Sequence, residues 1–384
     1  MYNILTLNKI SKYGLEKLDA VKYSCADSCE NPDAVLVRSA AMHDFAFSPV
    51  TAAVARAGAG VNNIPVEACA EKGIVVFNTP GANANAVKEL VICSLFMASR
   101  KIGESLDWCK TLKGEGDAVG NLVEKGKSAF AGPEIMGKTL GVGGLGARGA
   151  LVAGAAYALG MDIIGYDPYL SPASAQALTF AKITDSLDEL YACSDYITLH
   201  VPLTDGTRSS ICEKTLAGMK DGVRILNFSR GELVNSDDIL SALESGKCAA
   251  YITDFPTDAQ LGAKGVTAIP HLGASTPESE DNCAVMAAVE VSDYLEKGII
   301  KNSVNYPAAS LPESFAARVC LLHKADAAFA EKAVSAVSAQ GVSLKNTFSA
   351  EKKDFGYTVI DTDKAVDISV LEALPGVLRV RALG

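Results

Sequence analysis

A glycine-rich turn constrains the fold of this chain more than any other feature of its sequence. Residues 141–146 read Gly-Val-Gly-Gly-Leu-Gly, between a strand candidate at 139–143 and an alanine-rich, helix-prone stretch at 151–159. A second apolar run, 161–166, leads directly into Asp167, 21 residues after Gly146. A glycine triplet alone is weak evidence, but this order of strand, glycines, helix, strand and acid favours a dinucleotide-binding unit.

Each part of this segment has a predicted role. Gly141 permits a tight strand-to-helix turn, Gly143 lets a pyrophosphate approach the backbone, and Gly146 lets the helix pack closely on the strand. The first N–H groups of that helix would then face the pyrophosphate. Asp167 would hydrogen-bond a ribose 2′-OH and repel a 2′-phosphate, so the segment predicts NAD rather than NADP as the cofactor.

The overall composition narrows the possible partners. The 384 residues predict two or three domains, and the net charge of −10 argues against a nucleic-acid partner. No run of about 18 apolar residues free of charge is present, so no membrane span is expected. The start of the chain lacks the basic region of a signal peptide and reads as a strand. The ten cysteines form no Cys-x-x-Cys pair, which predicts reduced thiols, no metal site and a cytoplasmic protein.

The apolar runs predict an α/β protein in three parts. Residues 1–95 together with 276–303 alternate short strands and helices, as expected of a flavodoxin-like substrate domain. Residues 96–275 continue the alternation and predict a doubly wound parallel Rossmann-type sheet that binds NAD. Residues 304–384 change to the order βαββαβ, an α+β ferredoxin-like module. The strand candidates of the middle part are 139–143, 162–166, 195–201, 223–228, 250–254 and 266–269. Residues 277–297 predict a further helix, with acids early and Lys297-Gly298 at its end.

Three polar residues follow predicted strands of the middle part. His271 lies just past strand 266–269, Arg230 follows strand 223–228, and Asp258 comes four residues after strand 250–254. The carboxyl ends of parallel strands line the ligand crevice of such sheets. We therefore expect His271 to carry a proton, Arg230 to bind a carboxylate and Asp258 to orient the imidazole. His200 also ends a strand and is the main competitor, and for any one of these residues alone a structural role is the simpler interpretation.

Five motifs in order resemble the D-isomer-specific 2-hydroxyacid dehydrogenases. They lie at 140–146, 166–168, 200–204, 227–233 and 270–276. Segments 37–39, 55–64 and 77–83 are similar to the members that act on 3-phosphoglycerate, and the C-terminal part resembles their regulatory ACT module. The resemblance implies that NAD oxidises the 2-hydroxyl of 3-phosphoglycerate to 3-phosphohydroxypyruvate, the first step of L-serine synthesis. It also implies a homodimer or homotetramer.

The resemblance assigns roles to individual residues. It makes His271 the acid–base, gives Arg230 the carboxylate and the C2 oxygen, and aligns Asp258 with a glutamate that pairs with the histidine. Residues implied to contact the substrate are Arg38, Ser39, Arg56, Ala59, Gly60, Val61 and Asn83. Residues implied to contact NAD are Gly141, Gly143, Gly144, Leu145, Gly146, Asp167, His200, Val201, Pro202, Ser229, Asp254 and Gly273.

Some positions depart from the family pattern. The acid that contacts the nicotinamide amide aligns with Thr253, so Asp254 serves only if the strand end is irregular, because neighbouring strand side chains point to opposite faces. In the C-terminal module, a serine-binding Asn and Pro-Gly are replaced by residues 323–328, and a second Asn aligns with Ser343. We expect weak or absent inhibition by serine, with the module retained for assembly.

Three alternatives stay open from the sequence. The first is a reductase of glyoxylate or hydroxypyruvate from the same family, which would not need Arg38 and Arg56. The second is a non-enzymatic, NAD-sensing regulator, since this scaffold also supports such proteins. The third is an amino-acid-binding protein, but the ACT-like module covers only the last part of the chain.

Overall fold

The computed structural model describes residues 1–384, which separate into two compact units. One unit contains residues 1–83 and 277–384, and the other contains residues 84–276. Across the described chain, no helix combines the length and the apolar character needed to cross a membrane. The three-domain division expected from the sequence, with boundaries near residues 95, 275 and 303, stays a prediction.

Residues 1–83 build a five-stranded parallel sheet with the strand order β2-β1-β3-β4-β5. This is the flavodoxin-like order, as predicted. Every residue of the central strand β3 is buried, as expected for a parallel strand covered on both faces. The elements are β1 (Tyr2–Leu7), α1 (Lys12–Leu15), β2 (Tyr23–Ala26), β3 (Ala34–Val37), β4 (Ala53–Arg56), α2 (Val66–Glu71) and β5 (Val75–Phe77).

Residues 84–276 build a seven-stranded parallel sheet with the order β12-β11-β10-β9-β6-β7-β8. The strand order reverses beside β6, which is the doubly wound arrangement of a Rossmann-type sheet, so the predicted fold class is confirmed. The helices are α3 (Ala84–Arg100), α4 (Ile102–Thr111), α5 (Val119–Gly126), α6 (Ala147–Ala158), α7 (Pro172–Gln176), α8 (Leu187–Cys193), α9 (Glu213–Ala217) and α10 (Ser236–Ser245). The strands are β6 (Thr139–Gly143), β7 (Asp162–Tyr166), β8 (Ala181–Thr184), β9 (Tyr196–Leu199), β10 (Val223–Asn227), β11 (Cys248–Thr253) and β12 (Val266–Ala268).

Residues 277–384 add one long helix and a four-stranded antiparallel sheet with the order β14-β15-β13-β16. The βαββαβ succession and this strand order are those of a ferredoxin-like module, as predicted. The elements are α11 (Pro277–Lys297), β13 (Ala317–Lys324), α12 (Phe329–Ser338), β14 (Leu344–Lys352), β15 (Phe355–Thr362), α13 (Ser369–Glu372) and β16 (Val377–Leu383).

Helix α11 ends where its sequence requires. Pro277 fits the first helical position, where a missing N–H costs nothing, and Gly298 adopts φ +71° directly after Lys297. One face of the helix, including Ala284, Ala288 and Val291, is buried in the core of its own unit. At its C-terminal end the carbonyls of two residues accept hydrogen bonds from the Arg381 guanidinium of β16, at 3.0 and 2.7 Å. Those residues are Tyr294 and Leu295.

Candidate active site

Six neighbouring strands of the seven-stranded sheet end in predicted site residues. Because the strands are parallel, their carboxyl ends meet one edge of the sheet, where doubly wound folds bind ligands. Read from β12 across to β7, the strands lead into His271, Asp254, Arg230, His200, the glycine-rich turn and Asp167. The predicted acid–base and the predicted ribose ligand therefore lie at opposite ends of one row, and the pyrophosphate turn lies between them.

The glycine-rich turn is tightest at Gly144. Its φ is +93°, a conformation that residues with a side chain rarely adopt, and a Cβ there would lie 2.9 Å from the His200 carbonyl. The His200 N–H donates to the Gly143 carbonyl at 2.7 Å, which ties the end of β9 to the turn. A Cβ on Gly149 would lie 1.9 Å from the Gly144 carbonyl oxygen. Gly149, which the sequence did not single out, is therefore required for the close approach of α6.

Two of the predicted glycine roles are wrong. Gly141 belongs to strand β6 and makes no turn, but a Cβ there would lie 2.3 Å from the Ser194 hydroxyl that follows α8. Gly146 does not permit close helix packing, because a Cβ on it would meet no atom within 4 Å. Gly146 thus leaves open space at the N-terminus of α6, where helix N–H groups attract an anion.

The Asp167 carboxylate is fixed against the turn. Its Oδ2 accepts from the Leu145 N–H at 2.9 Å, and its Oδ1 accepts from the Tyr169 N–H at 2.9 Å. A carboxylate oxygen has two lone pairs, so each oxygen can accept a further hydrogen bond from a ribose hydroxyl. This arrangement fits the predicted role of Asp167 and its discrimination against a 2′-phosphate.

His200 cannot serve as the proton carrier in this geometry. Burial, together with the positive charge of Arg148, lowers the pKa of His200 to about 3, so the ring is neutral near pH 7. Its Nε2 lies 3.0 Å from the Thr198 hydroxyl, and its Nδ1 is buried without a hydrogen-bond partner. The main competitor of His271 is therefore not suited to proton transfer, and its backbone adjoins the glycine-rich turn.

At the end of β11, the side chain of Asp254 is available to a ligand and that of Thr253 is not. The Thr253 hydroxyl accepts from the Phe255 N–H at 3.0 Å and is fully buried. Asp254 lies beyond the last strand residue, so strand alternation no longer fixes its direction. Its Oδ2 accepts from the Gly273 N–H at 3.2 Å, whereas its Oδ1 is buried without a partner. Burial raises the pKa of Asp254, and the hydrogen bond from Gly273 and the charge of His271 oppose that rise.

The Phe255 ring is near both predicted catalytic side chains, His271 and Arg230. The centroid of its ring is 4.4 Å from that of the exposed His271 imidazole, and the Arg230 Cζ is 5.8 Å from the same phenyl centroid. The Arg230 Nη1 also donates to the Ser229 carbonyl at 2.6 Å. Sequence reasoning missed Phe255, although an aromatic residue directly after a strand-end acid was a signal for it.

The predicted hydrogen bond between Asp258 and His271 is not formed. Asp258 begins a short 3₁₀ turn, and the preceding Thr257 and the buried Gln260 cap that turn reciprocally. This leaves the Asp258 side chain exposed, with no hydrogen bond or ion pair to the imidazole. The acid whose charge interacts with His271 is Asp254 instead.

The predicted substrate residues of the other unit also gather at strand ends. Arg56 is the last residue of β4 and pairs in register with Val37, the residue before Arg38. The Arg56 Nε donates to the Arg38 carbonyl at 3.0 Å. A Cβ on Gly58 would lie 2.5 Å from the Arg56 Nη1, so a glycine leaves room for that guanidinium.

A loop of three residues follows these arginines. The N–H groups of Ala59, Gly60 and Val61 donate no hydrogen bond within the protein, so three successive donors are available to an anion. The exposed Ser39 donates its N–H to the Asn8 side chain at 3.0 Å, and Asn83 is buried directly before α3.

Arg38 is already paired within its own unit. Its Nη2 lies 2.7 Å from Oε1 of Glu280, in the first turn of α11, and both side chains are partly exposed (38% and 43%). No sequence pattern indicates this pair, because the two residues are more than 200 positions apart in the chain.

The residues of the seven-stranded sheet fit NAD. The open space at Gly146 suits a pyrophosphate, and Asp167 retains lone pairs for a ribose. The unpaired Oδ1 of Asp254 is a buried acceptor, and a carboxamide N–H₂ is a suitable donor for it.

Comparison with known proteins agrees with this fit. Residues 92–273 match the family described as D-isomer specific 2-hydroxyacid dehydrogenase, NAD binding domain. A D-3-phosphoglycerate dehydrogenase of Methanocaldococcus jannaschii is 38% identical over 260 residues, which cover 66% of this chain and 47% of that protein. The chain spans about half the length of the curated relatives it matches.

Two solved structures are similar over most of this chain. The NAD⁺-bound 3-phosphoglycerate dehydrogenase of Entamoeba histolytica is 25% identical with a TM-score of 0.61, covering 79% of this chain and 98% of that one. A glyoxylate reductase from Paecilomyes thermophila is 26% identical with a TM-score of 0.66, also covering 79% and 98%. The family match confirms the predicted cofactor, NAD.

Proposed function

We propose that the chain is a D-3-phosphoglycerate dehydrogenase, because residues 92–273 match the NAD-binding domain of the D-isomer specific 2-hydroxyacid dehydrogenases. It would oxidise the 2-hydroxyl of D-3-phosphoglycerate to give 3-phosphohydroxypyruvate, the first step of L-serine synthesis. The observation that carries the proposal is the row of His271, Asp254 and Arg230 on three adjoining strand ends, on the same sheet edge as the cofactor turn.

Bound NAD would supply the hydride acceptor for this oxidation. His271 takes the proton of the 2-hydroxyl at a ring nitrogen, for which its exposed imidazole is accessible. Asp254 Oδ1 would accept a hydrogen bond from the nicotinamide carboxamide, and its charge would stabilise the imidazolium that forms on His271. Arg230 binds the carboxylate and the C2 oxygen, since a guanidinium donates two parallel hydrogen bonds to such a group.

We assign the phosphate end of the substrate to Arg38 and Arg56. A phosphate monoester carries close to two negative charges near pH 7, so more than one cationic donor is needed to offset its desolvation. The two arginines end adjacent strands, and the Arg56 guanidinium is anchored on the Arg38 backbone. The N–H groups of residues 59–61, which donate no hydrogen bond within the protein, would bind the other anionic group of the substrate, its carboxylate.

The test is the oxidation of NADH, followed by absorbance, with phosphohydroxypyruvate or unphosphorylated hydroxypyruvate as substrate. The parent chain should prefer the phosphorylated substrate. A variant with both Arg38→Ala and Arg56→Ala should raise KM for phosphohydroxypyruvate at least about tenfold, because charge-assisted hydrogen bonds are lost, and should leave hydroxypyruvate turnover nearly unchanged. Lys332→Ala is the matched control. It removes a cation of the C-terminal module that forms an exposed ion pair with Asp326.

A reductase of glyoxylate or hydroxypyruvate is the second candidate. It is favoured because Arg38 is already neutralised by Glu280, and because a similar solved structure is a glyoxylate reductase. Equal turnover of phosphorylated and unphosphorylated substrates in the parent and in the double arginine variant would establish this candidate over the first. NADH binding without turnover of any 2-oxo acid would instead indicate the NAD-sensing regulator.

For the C-terminal module we propose an ACT-like role in the assembly of a cytoplasmic homodimer or homotetramer, without serine control. His323 is fully buried, its two ring nitrogens lie 2.7 Å from the Lys324 carbonyl and 2.9 Å from the Thr358 hydroxyl, and its ring stacks on Phe329 at 3.7 Å. These contacts fill the position at the end of β13 where serine-binding relatives place an asparagine. Inhibition by micromolar serine in a steady-state assay would contradict the proposal.

A further inference from the structure

We propose that Glu280 is a built-in competitor for the phosphate at Arg38, and that it sets how tightly the enzyme holds phosphorylated substrates. The inference rests on the proposed function, because it assigns the substrate phosphate to Arg38. It adds a specificity-determining residue from α11, outside the glycine turn, the strand-end row and the other predicted site residues.

The geometry gives Arg38 an anion before any substrate arrives. The 2.7 Å contact between Nη2 and the Glu280 carboxylate uses the part of the guanidinium that would donate to a phosphate oxygen. The Arg38 backbone is fixed independently, because its carbonyl accepts from the Arg56 Nε and the next residue, Ser39, is held by Asn8. Losing the Glu280 carboxylate would therefore free the guanidinium without removing the backbone contacts that hold it in place.

Exposure decides the size of the effect. With side-chain exposures of 38% and 43%, the ion pair is accessible to water and therefore weak, so an incoming dianion can displace it. After displacement, the Glu280 carboxylate remains close to the phosphate and repels it. Both consequences raise KM for a phosphorylated substrate, and neither acts on a substrate that lacks the phosphate.

The experiment compares the parent chain with Glu280→Gln, which keeps the size of the side chain and removes its charge. KM for phosphohydroxypyruvate should fall about two- to fivefold with kcat unchanged, and KM for hydroxypyruvate should stay the same. Asp326→Asn is the matched control, since it removes the carboxylate of another ion pair with 2.7 Å separation and similar exposure, and should change neither KM. Thermal unfolding verifies that each variant is folded.

Binding of inorganic phosphate, measured by calorimetry without substrate, separates this proposal from the proposed function. Glu280→Gln should bind phosphate about two- to fivefold more tightly than the parent, and this gain should disappear when Arg38→Ala is also present. If the parent lacks phosphohydroxypyruvate turnover but the phosphate result holds, only the proposed function fails. An unchanged or weaker phosphate affinity in Glu280→Gln, or an equal fall of both KM values, would overturn the role of Glu280.

Discussion

The clearest test of the cofactor site is Asp254→Asn, which replaces one carboxylate oxygen by an N–H₂ group and removes the negative charge near His271. In the variant, the amide oxygen can still accept from the Gly273 N–H, so the loop that carries His271 stays anchored. The other oxygen, now unpaired and buried, becomes an N–H₂ group that cannot accept from the nicotinamide carboxamide. A hydrogen bond to a charged acceptor contributes about 1.5–3 kcal/mol, so the Kd for NADH should rise roughly 10- to 150-fold.

The assay is a fluorescence titration of NADH against the parent, Asp254→Asn and Thr253→Val. Thr253 is the matched control, because it is the adjacent buried residue and its hydroxyl already accepts from the Phe255 N–H. Thr253→Val should lose some thermal stability but bind NADH within about twofold of the parent. Tight NADH binding by Asp254→Asn together with weak binding by Thr253→Val would refute the assignment and restore Thr253 as the nicotinamide contact.

The raised pKa of Asp254 also predicts how pH affects NADH binding. Burial raises the pKa of Asp254 above its ordinary value, and only the ionised form is the full acceptor for the carboxamide. Affinity for NADH should therefore decline in the parent as the pH falls through the raised pKa of Asp254, starting at a higher pH than an ordinary aspartate would give, and Asp254→Asn should show a flatter profile. An identical pH profile in both proteins would contradict the role of the ionised Asp254 carboxylate in cofactor binding.

Three further predictions concern other residues. His271→Gln should lower kcat by about 10² to 10⁴ in the phosphohydroxypyruvate assay and leave the Kd for NADH within about twofold, because only the proton transfer is lost. Asp167→Ala should weaken NADH binding and reduce the ratio of NADH affinity to NADPH affinity. The reason is that the Asp167 carboxylate, which the Leu145 N–H holds in place, is expected to repel the 2′-phosphate of NADPH. Burial raises the pKa of Glu290 to about 8, so between about pH 5 and 8 only the folded state keeps the proton. The free energy of unfolding should fall over that range by at most about 4 kcal/mol, and Glu290→Gln, measured by urea unfolding, should remove that decline.

The sequence predicted the elements that local chemistry determines. Helix α11 was predicted with its observed bounds, because Pro277 starts it and Lys297-Gly298 ends it. Strands β6 and β7 were also predicted with their observed bounds, since each is a short apolar run followed by glycines or an acid. In a parallel sheet the residues that follow the strands lie at one edge. The row from His271 to Asp167 could therefore be predicted from the order of the motifs along the chain.

What escaped prediction depends on side-chain directions and on distant pairs. Asp258 was predicted to reach His271, but the cap formed by Thr257 and Gln260 leaves its carboxylate in water. The sequence does not distinguish Gly146 from Gly149. Only the path of the backbone shows that a Cβ would meet open space at Gly146 and would lie 1.9 Å from another atom at Gly149. The pairing of Arg38 with Glu280 joins residues far apart in the chain, and no periodic pattern relates them.

Helix α11 connects the C-terminal module to the carboxylate that pairs with Arg38. Its 21 residues form a rod of about 31 Å, with Glu280 near one end and the Arg381 contacts of β16 near the other. If the end of α11 that contacts Arg381 tilts or shifts, we expect the end that carries Glu280 to move with it, because a helix is stiff. We therefore expect a displacement of β16 to change the contact between Glu280 and Arg38 without touching either residue.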